Sequence, residues 1–481
     1  MKLSTLLDGL TIKKDESALC TQVSGIAYDS RSVKKGDVFV CIKGYSTDGH
    51  KYVKSACENG AAAIVASDEI CADVPVVYVD DTRLALAHMS KAYFNNPLKD
   101  IKLIGVTGTN GKTSVTYLIK AMLEAKNIKV GLIGTNQNMI GSRIIPTERT
   151  TPESYELYKM FSQMAAEGVG CVVMEVSSHA LELNRVGGCE FETAVFTNLT
   201  QDHLDFHENM ENYFAAKCKL FSMCKNAVIN IDDEYGARIV AKCGANITSY
   251  SIDKNSDARA QGIHISAKGV EYELLCADER YSASVAIPGR FSVYNSLAAI
   301  CAARTLNIDM PTCLDALKRA SGVKGRAEIV DTDTDFTVII DYAHTPDGIE
   351  NILSTVNEFK EARVITLFGC GGDRDKSKRP KMGKSAGDLS DFLVVTSDNP
   401  RTEDPESIID DIMSGVIESG CEYVRIENRR EAIRYALCNA KKGDIIVLAG
   451  KGHETYQILK NETIHFDERE VVQEILDEIK N

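Results

Sequence analysis

The stretch Gly105-Val106-Thr107-Gly108-Thr109-Asn110-Gly111-Lys112-Thr113 joins an apolar run, 101–106, to a stretch with helical spacing, 112–125. A strand, a glycine-rich turn and a helix in that order constrain the fold more than any other feature of this chain. Glycines let backbone N–H groups wrap phosphate oxygens, and the N-terminus of the helix adds partial positive charge. Lys112 can reach terminal phosphates, and the Thr113 hydroxyl can hold a divalent cation such as Mg²⁺. The spacing departs from the strict phosphate-loop pattern, because five residues separate Gly105 from Gly111. By itself the loop suits any NTPase or GTPase.

A chain of 481 residues is too long for one core, and about three domains are expected. The first, residues 1–98, mixes strands (37–42 and 61–66) with a helix (82–94) that Asn95-Asn96-Pro97 breaks. The second, 99–327, carries the phosphate loop and further apolar strands at 130–133, 171–175 and 194–197. The third, 328–481, repeats the alternation with strands at 337–341, 364–368, 392–396, 423–426 and 445–449. Strands alternating with helices predict an α/β fold. Its central domain is a parallel-sheet ATPase domain with a P-loop, and its C-terminal domain is doubly wound and Rossmann-like, with functional loops at the carboxyl ends of the strands.

Composition narrows the class. With 44% hydrophobic and 26% charged residues the chain reads as soluble and globular. No apolar run approaches the roughly 20 residues that span a bilayer. The N-terminus shows no signal-peptide pattern. Fifteen scattered cysteines without a recurring C-x-x-C suggest reduced thiols and a cytoplasmic location. A formal charge of −14 argues against nucleic acid as a partner. It leaves room for a polyanionic small substrate held by local basic loops.

Gly108-Thr109-Asn110-Gly111-Lys112-Thr113-Ser114 resembles the loop of the Mur ligase family. Met174-Glu175-Val176-Ser177-Ser178-His179, Asn198-Leu199-Thr200-Gln201-Asp202-His203-Leu204-Asp205 and Asp341-Tyr342-Ala343-His344-Thr345-Pro346 follow in the family's order. The resemblance implies a cytoplasmic, monomeric ligase that uses ATP and Mg²⁺ to turn a carboxylate into an acyl-phosphate, which an amine then attacks. Lys112 and residues 108–114 would cradle ATP. Glu175, with Thr113 and His203, would hold magnesium. Lys217 resembles a family lysine that becomes carbamylated and so joins the metal ligands, although sequence alone reads it as a solvated helix charge. His179 suits packing as well as a direct role. Asn295, Arg326, Asp341 and His344 resemble nucleotide-contacting positions.

The resemblance also implies the substrates. Tyr28-Asp29-Ser30-Arg31 and the stretch 44–50 resemble a uridine-diphosphate site, with Ser30 on the nucleotide. Thr150 and Thr151, in the stretch 147–152, and Ser177 and Arg185 resemble contacts to a muramoyl-peptide, where Leu183 replaces a glutamine of some relatives. Ser30 and Thr150 also suit turn or N-cap positions. Asp398-Asn399-Pro400-Arg401 resembles the signature of members that add meso-diaminopimelate to UDP-N-acetylmuramoyl-L-alanyl-D-glutamate. An arginine fork grips the second carboxylate that L-lysine lacks. Asp398, Asn399 and Glu454 would hold the distal ammonium, with Gly450 beside them, and Arg374 the other carboxylate. The basic run containing Arg374 and Arg379 also suits a solvated loop. The alternatives are a lysine-adding member, a ligase like folylpolyglutamate synthetase, and a non-enzymatic NTP-binding module.

Overall fold

The computed structural model describes every residue except Asp15, Tyr45, Ser46, Glu148, Ala267, Ser321 and Asn481. For Lys14, Glu16, Ser17, Asp205 and Lys480 it describes the backbone alone. Tyr45 and Ser46 of the stretch 44–50, and Glu148 of the stretch 147–152, therefore lie outside the described residues. The chain forms two compact units, Met1–Tyr250 with Cys301–Ile308, and Ser251–Ile300 with Asp309–Asn481. Among the described residues no helix is long and apolar enough to cross a membrane.

The first unit holds two sheets. The smaller has the order Ile12–Lys14, Val76–Val79, Ala63–Ala66, Val38–Val40, Ile26–Ala27. Only its first pair is antiparallel. The larger runs Asn246–Ser251, Cys224–Asn230, Phe191–Phe196, Lys102–Thr107, Cys171–Glu175, Val130–Ile133, all parallel. An antiparallel hairpin, Asn138–Ile140 and Arg143–Ile145, extends its edge. Strands covered on both faces must be apolar on both faces, which is why they read as unbroken hydrophobic runs.

The strand Lys102–Thr107 lies between Cys171–Glu175 and Phe191–Phe196. The chain builds the sheet outward from it in both directions, so its carboxyl end is a switch point where a ligand can enter. Gly108 sits there with φ 149°, and a Cβ on it would lie 1.8 Å from the Thr197 hydroxyl. Gly111, left-handed at φ 86°, starts the helix Lys112–Glu124. Only glycine meets both demands without strain.

The second unit contains an antiparallel meander, Ala258–Ser266, Gly269–Cys276 and Glu279–Val285. The mostly parallel sheet expected for residues 99–327 thus also carries antiparallel pieces. The unit's main sheet has the order Glu328–Val330, Thr337–Asp341, Ile445–Ala449, Val364–Phe368, Phe392–Val395, Tyr423–Arg425, parallel except for its first strand. Alternation along each strand separates its two cores. Ile339, Phe368, Val395 and Val447 pack with the helices Pro346–Asn357, Lys378–Leu389 and Pro405–Ser419. Ile340, Leu367, Val394 and Leu448 pack with Arg429–Asn439 and Glu468–Lys480. Period-two alternation under helices on both faces gives the doubly wound layer expected from sequence.

One buried ion pair ties this layer to its rim. Arg429 and Glu468 are almost fully buried. Arg429 Nε donates to Glu468 Oε1 at 2.8 Å, and Nη2 donates to Ala449 O, also at 2.8 Å. Burial pushes the Glu468 carboxyl up, and the Arg429 charge opposes it. Arg429→Met would leave that carboxyl without its bonded cation and Ala449 O without its donor. Breaking such a pair costs about 3–5 kcal/mol, so chemical denaturation of the full chain should show a loss of that size. A loss under about 1 kcal/mol would show the pair is not an anchor.

Candidate active site

The phosphate loop closes on itself. Lys112 Nζ donates to Gly108 O (3.0 Å) and Thr109 O (2.7 Å). Asn110 N donates to Asn198 Oδ1 at 2.9 Å, and the Thr197 hydroxyl donates to Asn110 O at 2.6 Å. The loop is therefore shaped by the adjacent strand end before any phosphate arrives. Ser114 follows Thr113 on the first turn of the helix.

Glu175 ends its strand at 1% exposure. Its carboxylate accepts from the Thr113 hydroxyl (3.0 Å), Thr135 N (2.9 Å) and the Thr135 hydroxyl (3.0 Å). Hard oxygen donors on a loop and a carboxylate suit Mg²⁺. Lys217 is buried at 1% exposure, which overturns its reading as a solvated charge. Its Nζ donates to Gly108 O at 2.8 Å and lies 4.5 Å from the centre of the Tyr213 ring. Burial holds the amine well below the usual lysine range, and the Lys112 charge pushes the same way. His203 starts the helix Leu204–His207 from a left-handed backbone at φ 53°. Its half-exposed ring lies 4.8 Å from that of His179 and 6.2 Å from that of Tyr213, and its Nε2 is 3.3 Å from Asp202. Tyr213 also reaches the Thr109 hydroxyl at 3.2 Å, so it lies beside the phosphate loop, Lys217 and His203 alike.

The muramoyl-peptide candidates join the same cluster. The Thr135 and Thr150 hydroxyls lie 3.0 Å apart. The Thr151 hydroxyl donates to Glu175 O at 2.9 Å and accepts from Ser177 N at 3.1 Å. Ser177 caps the helix Ser178–Glu182, and Arg185 Nη1 donates to Thr151 O at 3.2 Å. Ser30 stands apart. It is buried in a short turn whose N-cap is Asp29, and its carbonyl accepts from Asn59. Thr135 has no recognisable motif in sequence and was missed.

In the second unit, Asp398 and Asn399 are buried beside the strand end Val395. Asn399 Nδ2 donates to Glu454 Oε2 at 2.9 Å, and the fully buried Lys451 lies 3.1 Å from the same oxygen. Asp398 Oδ2 is buried without a hydrogen-bond partner, and the nearest guanidinium nitrogen, on Arg429, is 4.0 Å away. Gly450, at φ 113°, is its neighbour, since a Cβ there would stand 2.8 Å from that oxygen. Pro400 leads into Arg401, which takes a left-handed φ of 53° and donates from Nη1 to Gly372 O at 2.7 Å. A buried carboxylate oxygen lacking a donor, on the same loop as the Arg401 guanidinium, fits the ammonium and carboxylate of a zwitterion.

Arg374 is exposed and donates only to the neighbouring carbonyl of Asp373 among the described contacts. Arg379, from the same basic run, is fully buried, contrary to a solvated loop. It grips Glu403 through both nitrogens (2.9 and 3.1 Å) and Asp411 (2.8 Å). The Arg379 bonds, with those from Asp373 N and Lys376, hold the Glu403 carboxyl down to about 2. The nucleotide candidates of this unit partly converge. The Asp341 carboxylate accepts from Ala327 N and Ala343 N at 2.7 and 2.8 Å, and burial pushes it up. The Arg326 guanidinium lies 5.1 Å from the Tyr342 ring centre, with Nε buried and lacking a hydrogen-bond partner. His344 Nδ1 lies 2.9 Å from Tyr342 O. Asn295, buried on the helix Arg290–Thr305, shows no described hydrogen bond to this group.

Known proteins share this architecture and sequence. Residues 106–303 match the family described as Mur ligase middle domain, 325–452 the Mur ligase glutamate ligase domain, and 22–94 the Mur ligase family catalytic domain. A protein of Clostridium botulinum named UDP-N-acetylmuramoyl-L-alanyl-D-glutamate–2,6-diaminopimelate ligase is 51% identical, covering 95% of this chain and 96% of its own. The protein of that name from Caldanaerobacter subterraneus subsp. tengcongensis is 53% identical over 99% of both. A solved structure of a ligase with that name superposes with TM-score 0.74 at 31% identity, over 100% of this chain and 99% of that one. The MurF ligase of Thermotoga maritima in complex with ADP shares the fold, with TM-score 0.61 at 18% identity over 95% and 99% of the two chains. With most of its length matched by the family and half of its residues shared with such relatives, the chain belongs to the Mur ligase family.

Proposed function

We propose that this chain is an ATP-dependent ligase of peptidoglycan precursor synthesis, acting in the cytoplasm. It joins meso-2,6-diaminopimelate to UDP-N-acetylmuramoyl-L-alanyl-D-glutamate. The glutamate carboxylate takes the terminal phosphoryl group of ATP and releases ADP. The amine then attacks the acyl carbon, phosphate leaves and an amide remains. We assign residues 1–98 to the UDP-muramoyl substrate, 99–327 to ATP and 328–481 to the amino acid.

The observation that carries this proposal is the zwitterion-shaped site of the C-terminal sheet. Asp398, with its unpartnered Oδ2, and Glu454 suit the distal ammonium, and Arg401 suits the carboxylate beside it. L-Lysine would leave Arg401 without a counter-charge, a loss that discriminates strongly in a closed site. The names and near-complete coverage of the relatives support the same substrate pair.

In the first unit, residues 108–114 bind and orient the phosphates, and Thr113, Glu175 and His203 would hold magnesium. Bound Mg²⁺ supplies charge neutralisation of the phosphoryl oxygens. Lys112 adds a cation that follows the phosphates. Lys217, buried and biased toward its neutral amine, can take up CO₂ and release a proton, which makes it an anionic carbamate able to join the metal ligands. Thr150, Thr151, Ser177 and Arg185 would present the substrate carboxylate to this centre, held to Glu175 through Thr135 and Thr151.

Two variants test these assignments. Arg401→Ala should lower kcat/KM for meso-diaminopimelate by about 100-fold or more, with the Kd for ATP within about threefold of the parent. Undiminished turnover would remove Arg401 from the site. Lys217→Met keeps the buried bulk without the amine. It should lose turnover by about 100-fold or more while the melting temperature holds. Retained turnover would rule out Lys217 as a ligand precursor.

A further inference from the structure

On the assignment above, the nucleotide end and the peptide end of the substrate would bind on different segments of the first unit, and Arg83 is among the side chains that connect them. Arg83 lies on the helix Thr82–Tyr93. Its Nε donates to Lys43 O at 3.0 Å, immediately before the stretch 44–50. Its Nη1 donates to Glu153 Oε2 at 3.1 Å, just past Thr150 and Thr151. Glu153 is 5% exposed, and the same oxygen lies 3.4 Å from Arg185 Nε and 3.9 Å from Arg149 Nη1. Three guanidiniums facing one carboxylate leave an excess of positive charge, which suits a polyanionic substrate.

We propose that Arg83 and Glu153 form a positioning clamp that sets the spacing between the nucleotide-binding and dipeptide-binding loops, and so the span of substrate the enzyme accepts. The clamp rests on the ligase assignment above. An arginine is required because its planar fork reaches acceptors on both segments from one rigid group, whereas a lysine ammonium is a single point charge. Glu153 in turn fixes the guanidinium of Arg185, whose other arm holds Thr151 O. The segments are also joined by the Tyr28 hydroxyl donating to Glu156 Oε2 (2.8 Å), and the Arg83 helix is held to residues 184–188 by Asn184 Nδ2 donating to Asp81 Oδ2 (2.7 Å) and Lys91 Nζ donating to Gly188 O (2.9 Å). Loss of the clamp therefore loosens the spacing without parting the segments.

The test is steady-state kinetics on the full chain with Arg83→Gln, Glu153→Gln, the double variant and Arg83→Lys. Each should raise KM for UDP-N-acetylmuramoyl-L-alanyl-D-glutamate by about tenfold or more, with kcat within about threefold and KM for ATP and diaminopimelate unchanged. The double variant should be no worse than the worse single one, because both remove one linkage. Unchanged KM in the single variants would overturn the clamp. So would a rise in all three KM values together with a fall in melting temperature, which marks a merely structural role. A parent enzyme whose ADP release ignored the UDP-muramoyl-dipeptide would overturn the ligase assignment itself, a result separate from either of these.

Discussion

The carboxylate of Glu175 is the group on which the geometry of the first unit's candidate site depends. Burying it would cost several kcal/mol without donors, and three donors from two elements meet it. Thr113 belongs to the phosphate-loop helix, and Thr135 follows the strand Val130–Ile133. The Glu175 carbonyl takes Thr151. One residue at one strand end therefore ties the glycine-rich loop to the Thr150–Thr151 segment. Thr113 and Thr135 meet on its carboxylate and Thr151 on its carbonyl, so the two candidate sites share a common geometry even without ligand.

Buried cations repeat that logic at other strand ends. Lys217 donates to Gly108 O, and Arg429 donates to Ala449 O. Carbonyls at the end of a parallel ladder or just past it can be left without a strand partner, and a cation satisfies them while bringing charge to the rim. The chain carries a net charge of −14, yet its rims hold Lys112, Lys217, Arg401 and Lys451. Local placement of charge, rather than the overall balance, lets an acidic protein receive phosphates and carboxylates.

Much of this was legible in the sequence. The strands Val130–Ile133, Cys171–Glu175, Thr337–Asp341, Val364–Phe368 and Ile445–Ala449 read correctly because both faces are covered, so most of their positions are apolar. The meander Ala258–Ser266, Gly269–Cys276 and Glu279–Val285 was not read, since its residues alternate between buried and half-exposed and include many charges. Burial of Lys217 and Arg379 was also invisible. It depends on partners distant in sequence, Gly108 O for one and Glu403 for the other. The left-handed backbone of Arg401 carries no composition signal, because non-glycine residues enter that region only when their surroundings demand it. Thr135 matters through three bonds that no local pattern announces.

The most direct test of the central claim is phosphate release by the full chain with ATP, Mg²⁺ and UDP-N-acetylmuramoyl-L-alanyl-D-glutamate, supplied with meso-diaminopimelate or with L-lysine. Release that requires the UDP-muramoyl-dipeptide, and favours diaminopimelate over lysine by about 100-fold or more in kcat/KM, is the expected result. Equal use of lysine, or release that ignores the UDP-muramoyl-dipeptide, would contradict it.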